Sequence, residues 1–141
     1  MARKARNSHR SLDKPEDALR DRLSVLEELL GAVHAVLWIR DMKEERLLYV
    51  SPAFERIFGR SVQALLHSPR IWLDSIHPED RPHAMNAALK HARVGEDHME
   101  YRVVRPDGTV RRVYDRSFPV RNRQGEIYRL AGIAEDVTDK R

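Results

Sequence analysis

The 141-residue sequence contains no cysteine. This excludes disulfides, thiolate catalysis and thiolate metal sites, and it fits a reducing cytoplasm, where the protein is expected to reside. No apolar run approaches the ~20 residues that span a bilayer. The best candidate, "AVHAVLWI", is short and carries His34. The N-terminal "MARKARNSHR" is basic, but no signal-peptide core comes after it. The sequence therefore predicts no membrane insertion in this segment. Catalytic signatures are missing too: there is no H-E-x-x-H pair, no phosphate-binding glycine loop and no nucleophile elbow. Glu79 and Asp80 suit the positive end of a helix dipole better than an acid–base pair. His67, His77 and His98 lack the spacing of a metal-ligand set. The segment reads as neither an enzyme nor a metal protein.

Hydrophobic residues make up 41% of the chain and charged residues 34%, a charged but globular composition. The length suggests one domain with an added segment. The net charge is +4, yet 22 acidic residues are interleaved with 26 basic ones. Only the first ten residues form a basic block free of acids, so a solvated mixed-charge surface with a basic tail is expected, and no nucleic-acid partner.

The pattern divides the chain into residues 1–13, a polar tail predicted to be disordered; 14–33, a helix; and 34–141, the main domain. Pro15, Glu16 and Asp17 suit a helix's first turn. Leu19, Leu23, Leu26, Leu30 and Val33 then recur at alternating steps of four and three, a heptad seam. Gly31 is predicted to end the helix, leaving Val33 beyond it. Two heptads fit equally a helix laid on its own domain and a coiled coil with a second copy.

From Ala35 the periodicity changes. "AVLWIRD" and "RLLYV", joined by the charged turn "MKEE", read as a hairpin. In "YVSPAFERIFGRS", Ser51 is the predicted N-cap, Pro52 the first helical residue and Gly59 the left-handed C-terminal residue. Phe54, Ile57 and Phe58 share one face of that short helix, which needs a core to lean on. "SVQALLHSP" gives a second short helix capped by Ser61, and "IWLDSI" is ambiguous. "HPEDRPHAMNAALKHARVG" is a longer helix entered through His77, with Met85, Leu89 and Ala92 on one face and Gly95 closing it. Met99, Tyr101 and Val103 alternate with Glu100 and Arg102 in a half-buried strand. "RPDG" and "RNRQG" separate two further strands. The predicted class is α+β: a five-stranded antiparallel sheet with short helices packed over one face, preceded by an amphipathic helix.

Residues 35–141 resemble a PAS domain, of the subclass common in bacterial sensor kinases and cyclic-dinucleotide enzymes. "YVSPAFERIFGRS", "WLDSIHPEDR" and "EYRVVRPDGTVRRVYDRSFPVRNRQGEIYRLAGIAEDVTDKR" carry the likeness, in order and at the right spacing. The resemblance implies a sensory module whose attached output domain, a histidine kinase or cyclic-dinucleotide enzyme, it regulates. It implies a pocket under the helices. Trp38, Phe54, Phe58, Trp72, Met85, Leu89, Tyr101 and Tyr114 could line that pocket for a small molecule, or simply fill the core. Arg112 sits mid-strand and faces either the pocket or solvent. The family's outgoing motif falls on Asp136, Val137 and Thr138, preceded by Glu135, and the chain ends three residues later, as a fragment would. The leucines of the N-terminal segment, Leu19, Leu23, Leu26 and Leu30, match a helix that often makes such domains homodimers. A structural homodimerisation module with a filled core is the alternative.

No bound cofactor is the favoured expectation. Light-sensing relatives bond flavin to a cysteine, and that chemistry is excluded here, which leaves only non-covalent flavin. Haem-binding relatives ligate iron through a histidine on the longer helix, and His83 and His91 are the matching candidates.

Overall fold

The computed structural model describes residues 15–94 and 97–140, with the backbone alone for residues 89–94. The polar tail and the closing glycine expected at Gly95 lie outside the described residues.

Helix α1 (Pro15–Ala32) runs past Gly31. The residue that ends it is His34, which takes a left-handed φ of 57° and donates its N–H to the Gly31 carbonyl at 3.1 Å. This corrects the expectation that Gly31 stops the helix. Gly31 sits in the last turn because Arg56 packs there: a Cβ at residue 31 would lie 3.1 Å from the Arg56 guanidinium, which donates to the Gly31 carbonyl at 3.2 Å. The Tyr49 hydroxyl adds a second anchor by donating to the Glu27 carboxylate. The helix buries none of its residues. Leu19, at 63% exposure, and Leu23 and Leu26 remain open to solvent, and Leu30 is half-buried.

Beyond α1 the chain contributes five strands: β1 (Ala35–Asp41), β2 (Arg46–Val50), β3 (Asp97–Val104), β4 (Val110–Arg121) and β5 (Ile127–Asp136). They form one sheet in the order β2-β1-β5-β4-β3, with every neighbour antiparallel. The two-residue side-chain period sorts the strands into two faces. Met99, Tyr101, Val103, Val113, Asp115 and Ser117 are buried on the inner face. On the outer face Arg112 pairs with Glu100 at 2.5 Å, so the guanidinium points outward.

Between β2 and β3 the chain lays short helices over the inner face: α2 (Ala53–Phe58), α3 (Val62–His67), α4 (Arg70–Ser75), a 3-10 turn (Pro78–Asp80) and α5 (Arg81–Val94). The ambiguous "IWLDSI" is thus helical. Six residues make too few hydrogen bonds to hold α2 alone. Burial of Ala53, Phe54, Ile57 and Phe58 supplies the rest, with the two phenyl rings stacked at 4.5 Å. Gly59 ends α2 at φ 69°, donating to the Glu55 carbonyl at 2.9 Å. Ser61 caps α3 by accepting the Ala64 N–H.

Ser51 does not cap α2. Fully buried, it accepts the Leu37 N–H on its hydroxyl at 2.9 Å, while its own N–H donates to the Leu37 carbonyl at 2.8 Å. Strand β2 has just left the sheet at this point, and the hydroxyl replaces the missing strand acceptor. Further along, Asp80 clamps the 3-10 turn to β3 by accepting from the Arg102 N–H and guanidinium at 2.8–2.9 Å. Those bonds hold its carboxyl down at about 2.

Candidate functional site

The helices do not fill the concave side of the sheet. A cavity of about 110 Å³ remains between them, with walls from β1 (Val36, Trp38, Arg40), the α2 phenylalanines, Trp72, and Tyr101, Asp115, Leu130 and Ala134 of the sheet. It is smaller than the ~150 Å³ that takes a benzene-sized molecule, and well below the ~300 Å³ at the low end of drug-sized sites.

Its polar feature is a chain of hydrogen bonds. The Trp38 indole N–H donates to one oxygen of the Asp115 carboxylate at 2.9 Å, and the Tyr101 hydroxyl donates to the other at 2.8 Å. The Trp72 indole N–H donates in turn to the Tyr101 oxygen at 3.0 Å. Asp115 is 3% exposed. Burial pushes its carboxyl up to about 6, against the pull of the two donors. Burial and the neighbouring Asp115 charge push the Tyr101 phenol well up as well.

Trp38 reaches Asp115 by lying across the sheet. On β5 its partner in register is Gly132, and a Cβ there would sit 1.9 Å from the indole ring. Only glycine leaves this path open. At the β1 end of the cavity stands Arg40, whose Nε is buried and has no hydrogen-bond partner.

Of the eight pocket candidates, Trp38, Phe54, Phe58, Trp72 and Tyr101 converge on the cavity. Met85 does not. It is 44% exposed, because α5 packs through its small residue Ala84, and Ala88 provides the cavity wall. Tyr114 does not either: it falls on the outer parity of β4, beside Arg116 and the ring of His98. The Leu89 side chain lies outside the described residues. Sequence reasoning missed Asp115 and Arg40. The missed signal was parity, since Asp115 sits two residues from Val113 on the apolar face of β4.

His83 is exposed and lines no part of the cavity, and the His91 side chain is outside the described residues. Among the described residues no histidine lines the cavity, and its volume of about 110 Å³ is too small for haem or flavin. Among the described residues no three histidine or carboxylate groups gather as a metal site. No described helix is long and apolar enough to cross a membrane.

A second feature lies where the domain begins and ends. The Asp136 N–H donates to the His34 carbonyl at 2.9 Å, tying the end of β5 to the residue that ends α1. The Asp136 carboxylate accepts from the Thr138 N–H at 3.0 Å, the Thr138 hydroxyl at 2.6 Å and the Arg111 Nε at 2.8 Å. Burial opposes ionisation, but the Thr138 and Arg111 bonds win and hold the carboxyl below its ordinary value. Thr138 Oγ1 accepts the Arg112 N–H at 2.8 Å. Glu135 pairs with Lys140 at 2.5 Å.

The antiparallel order, the helical cover and the closing Asp-x-Thr turn define a sensor-type α+β module. A family model described as PAS fold matches residues 47–134, more than half of the chain, and the chain belongs to that family. The N-terminal domain of a diguanylate cyclase with PAS/PAC sensor from Marinobacter aquaeolei superposes with a TM-score of 0.67 at 26% identity, covering 75% of this chain and 97% of that one. A domain of the putative light and redox sensing histidine kinase from Haloarcula marismortui gives 0.63 at 33% identity, covering 82% and 99%. The methyl sulfide methyltransferase-associated sensor of Methanosarcina acetivorans is 36% identical over 73 residues, which is 50% of this chain but 7% of that protein. As a PAS domain the segment is a sensor module and not itself catalytic.

Proposed function

We infer that this chain is the cytoplasmic sensory module of a larger signalling protein, a histidine kinase or cyclic-dinucleotide enzyme, and that it binds a small molecule in its core. The observation that carries the reading is the cavity, where a buried carboxylate and two indoles converge within an apolar wall. Apolar concavity with a few aimed polar groups is the usual make-up of a ligand site. Occupancy would shift the population between two arrangements of sheet and helices. The His34–Asp136 bond supports a route outward, because α1 and the outgoing chain meet there. Native mass spectrometry of the purified protein tests the reading. A co-purified small molecule, lost when Ala134→Leu fills the cavity, is the expected result; the same spectrum from both proteins overturns it.

The exposed leucines of α1 favour a second property, homodimerisation through a parallel coiled coil. Sizing of the chain with and without residues 1–31 should show a dimer that becomes a monomer. An unchanged mass removes the helix from that role. If dimerisation is found and the core proves permanently filled, the module is structural.

A further inference from the structure

We propose that the core cavity takes a small alkylammonium ion, with its N–H groups on the Asp115 carboxylate and its alkyl part against the apolar wall. The proposal rests on the ligand-binding reading above and names the ligand's chemical class.

Volume sets the size. Since ~150 Å³ takes benzene, a cavity of about 110 Å³ takes about four non-hydrogen atoms. Methyl-, dimethyl-, ethyl- and propylammonium are within that limit.

Asp115 sets the charge. An ionised carboxylate offers about four acceptor positions, and Trp38 and Tyr101 occupy two. Among the described residues no cation pairs with it, although an unpaired buried charge is costly. An ammonium ion supplies the missing donors and the missing countercharge together, whereas a neutral molecule supplies only donors. The rest of the wall suits the alkyl part, since Phe54, Phe58, Leu130 and Ala134 line it. Aromatic faces also attract cations.

Arg40 is the rival feature, because its Nε lines the same cavity without an acceptor and would suit an anion. Two observations favour the cation. Arg40 is only half-buried, so its charge is partly solvated, while Asp115 is 3% exposed. An anion would also share this small space with the Asp115 carboxylate.

The chain's two tryptophans, Trp38 and Trp72, both line the cavity, so their fluorescence reads its occupancy. The test titrates the intact chain with the four amines at about pH 8, where Asp115 is ionised. Ethanol, acetate, tetramethylammonium, which has no N–H, and hexylammonium, which is too long, are the controls, with sodium chloride holding ionic strength constant. The best of the four amines should bind at least ten-fold more tightly than every control. Asp115→Asn should weaken it ten-fold or more, and Ala134→Leu should abolish binding by filling the space. Arg40→Gln should not weaken it, because that change removes like charge from the cavity. If a control binds as tightly as the best amine, the class is wrong while the cavity remains a ligand site. The class is equally wrong if no amine binds. Should the purified protein then still carry a molecule that Ala134→Leu loses, the ligand-binding reading survives; should it carry none, that reading fails as well.

Discussion

The Trp38 indole lies directly on Gly132, so close that a Cβ at residue 132 would fall 1.9 Å from the ring. This contact lets a side chain from β1 cross β5 and hydrogen-bond to Asp115 on β4. Gly132→Ala should therefore expel the indole, not merely crowd it. Overpacking and the lost Trp38–Asp115 bond together should cost about 2–4 kcal/mol in urea unfolding, with a shift in tryptophan fluorescence. The same substitution in a Trp38→Ala background should cost far less, because the two residues share one space. Additive losses in the double-mutant cycle would contradict the contact.

Asp115 predicts an inverted pH dependence. The carboxyl titrates near 3.8 when unfolded and at about 6 in the fold. Below 3.8 both states hold the proton and nothing is lost. Between 3.8 and 6 the folded protein keeps a proton that the unfolded chain has released, so stability falls as pH rises. Above 6 the deficit levels off on the order of 3 kcal/mol. Asp80 acts oppositely and lower, because its depressed carboxyl adds stability above 3.8 that is lost as pH falls towards 2. Asp115→Asn isolates the first effect. Relative to wild type it should gain about 3 kcal/mol between pH 4 and 7 in urea unfolding of ligand-free protein. Parallel curves for the two proteins would rule out a buried ionising carboxylate.

Ser51→Ala separates two roles for one hydroxyl. A lost helix cap would fray α2 and cost about 1 kcal/mol. The observed bond instead satisfies the Leu37 N–H inside the protein. Its loss leaves a buried donor without a partner and should cost about 1–3 kcal/mol. Hydrogen exchange distinguishes the cases: the Leu37 amide should lose protection while the amides of α2 keep theirs.

Much of this architecture was legible in the sequence, and the failures have physical causes. Strand β3 gave itself away because Met99, Tyr101 and Val103 alternate cleanly with charged residues, and those three are buried. Gly59 was legible because the left-handed position that ends so short a helix favours glycine. Ser51 was misread because local rules see a serine before a proline, while its actual partner, Leu37, is 14 residues away. Met85 was misread because apolar size suggests burial, whereas α5 approaches the sheet through alanine. Tyr114 was misread by its size, when the parity set by Val113 placed it outside. The polar centre of the cavity was invisible for a similar reason. Trp38, Tyr101 and Asp115 come from three strands, and only the sheet order and the gap at Gly132 bring them together.

Asp136→Ala tests the proposal that the module signals to an attached output domain through the end of β5. The carboxylate gathers the Thr138 N–H, the Thr138 hydroxyl and Arg111, and so fixes the direction of the chain after β5. The backbone bond from Asp136 to the His34 carbonyl needs no side chain and should survive. The variant should therefore fold, losing about 1–2 kcal/mol at neutral pH. That difference should shrink in acid: the depressed carboxyl of Asp136 contributes stability above the ordinary carboxyl range and loses it as pH falls through its own lower value. Exchange at the Thr138 amide should rise at least ten-fold while the amides of β1 and β4 stay protected. In the intact parent protein, output should stop responding to the signal while the domain keeps its ligand. Normal regulation by a folded Asp136→Ala protein would show that the signal leaves by another path.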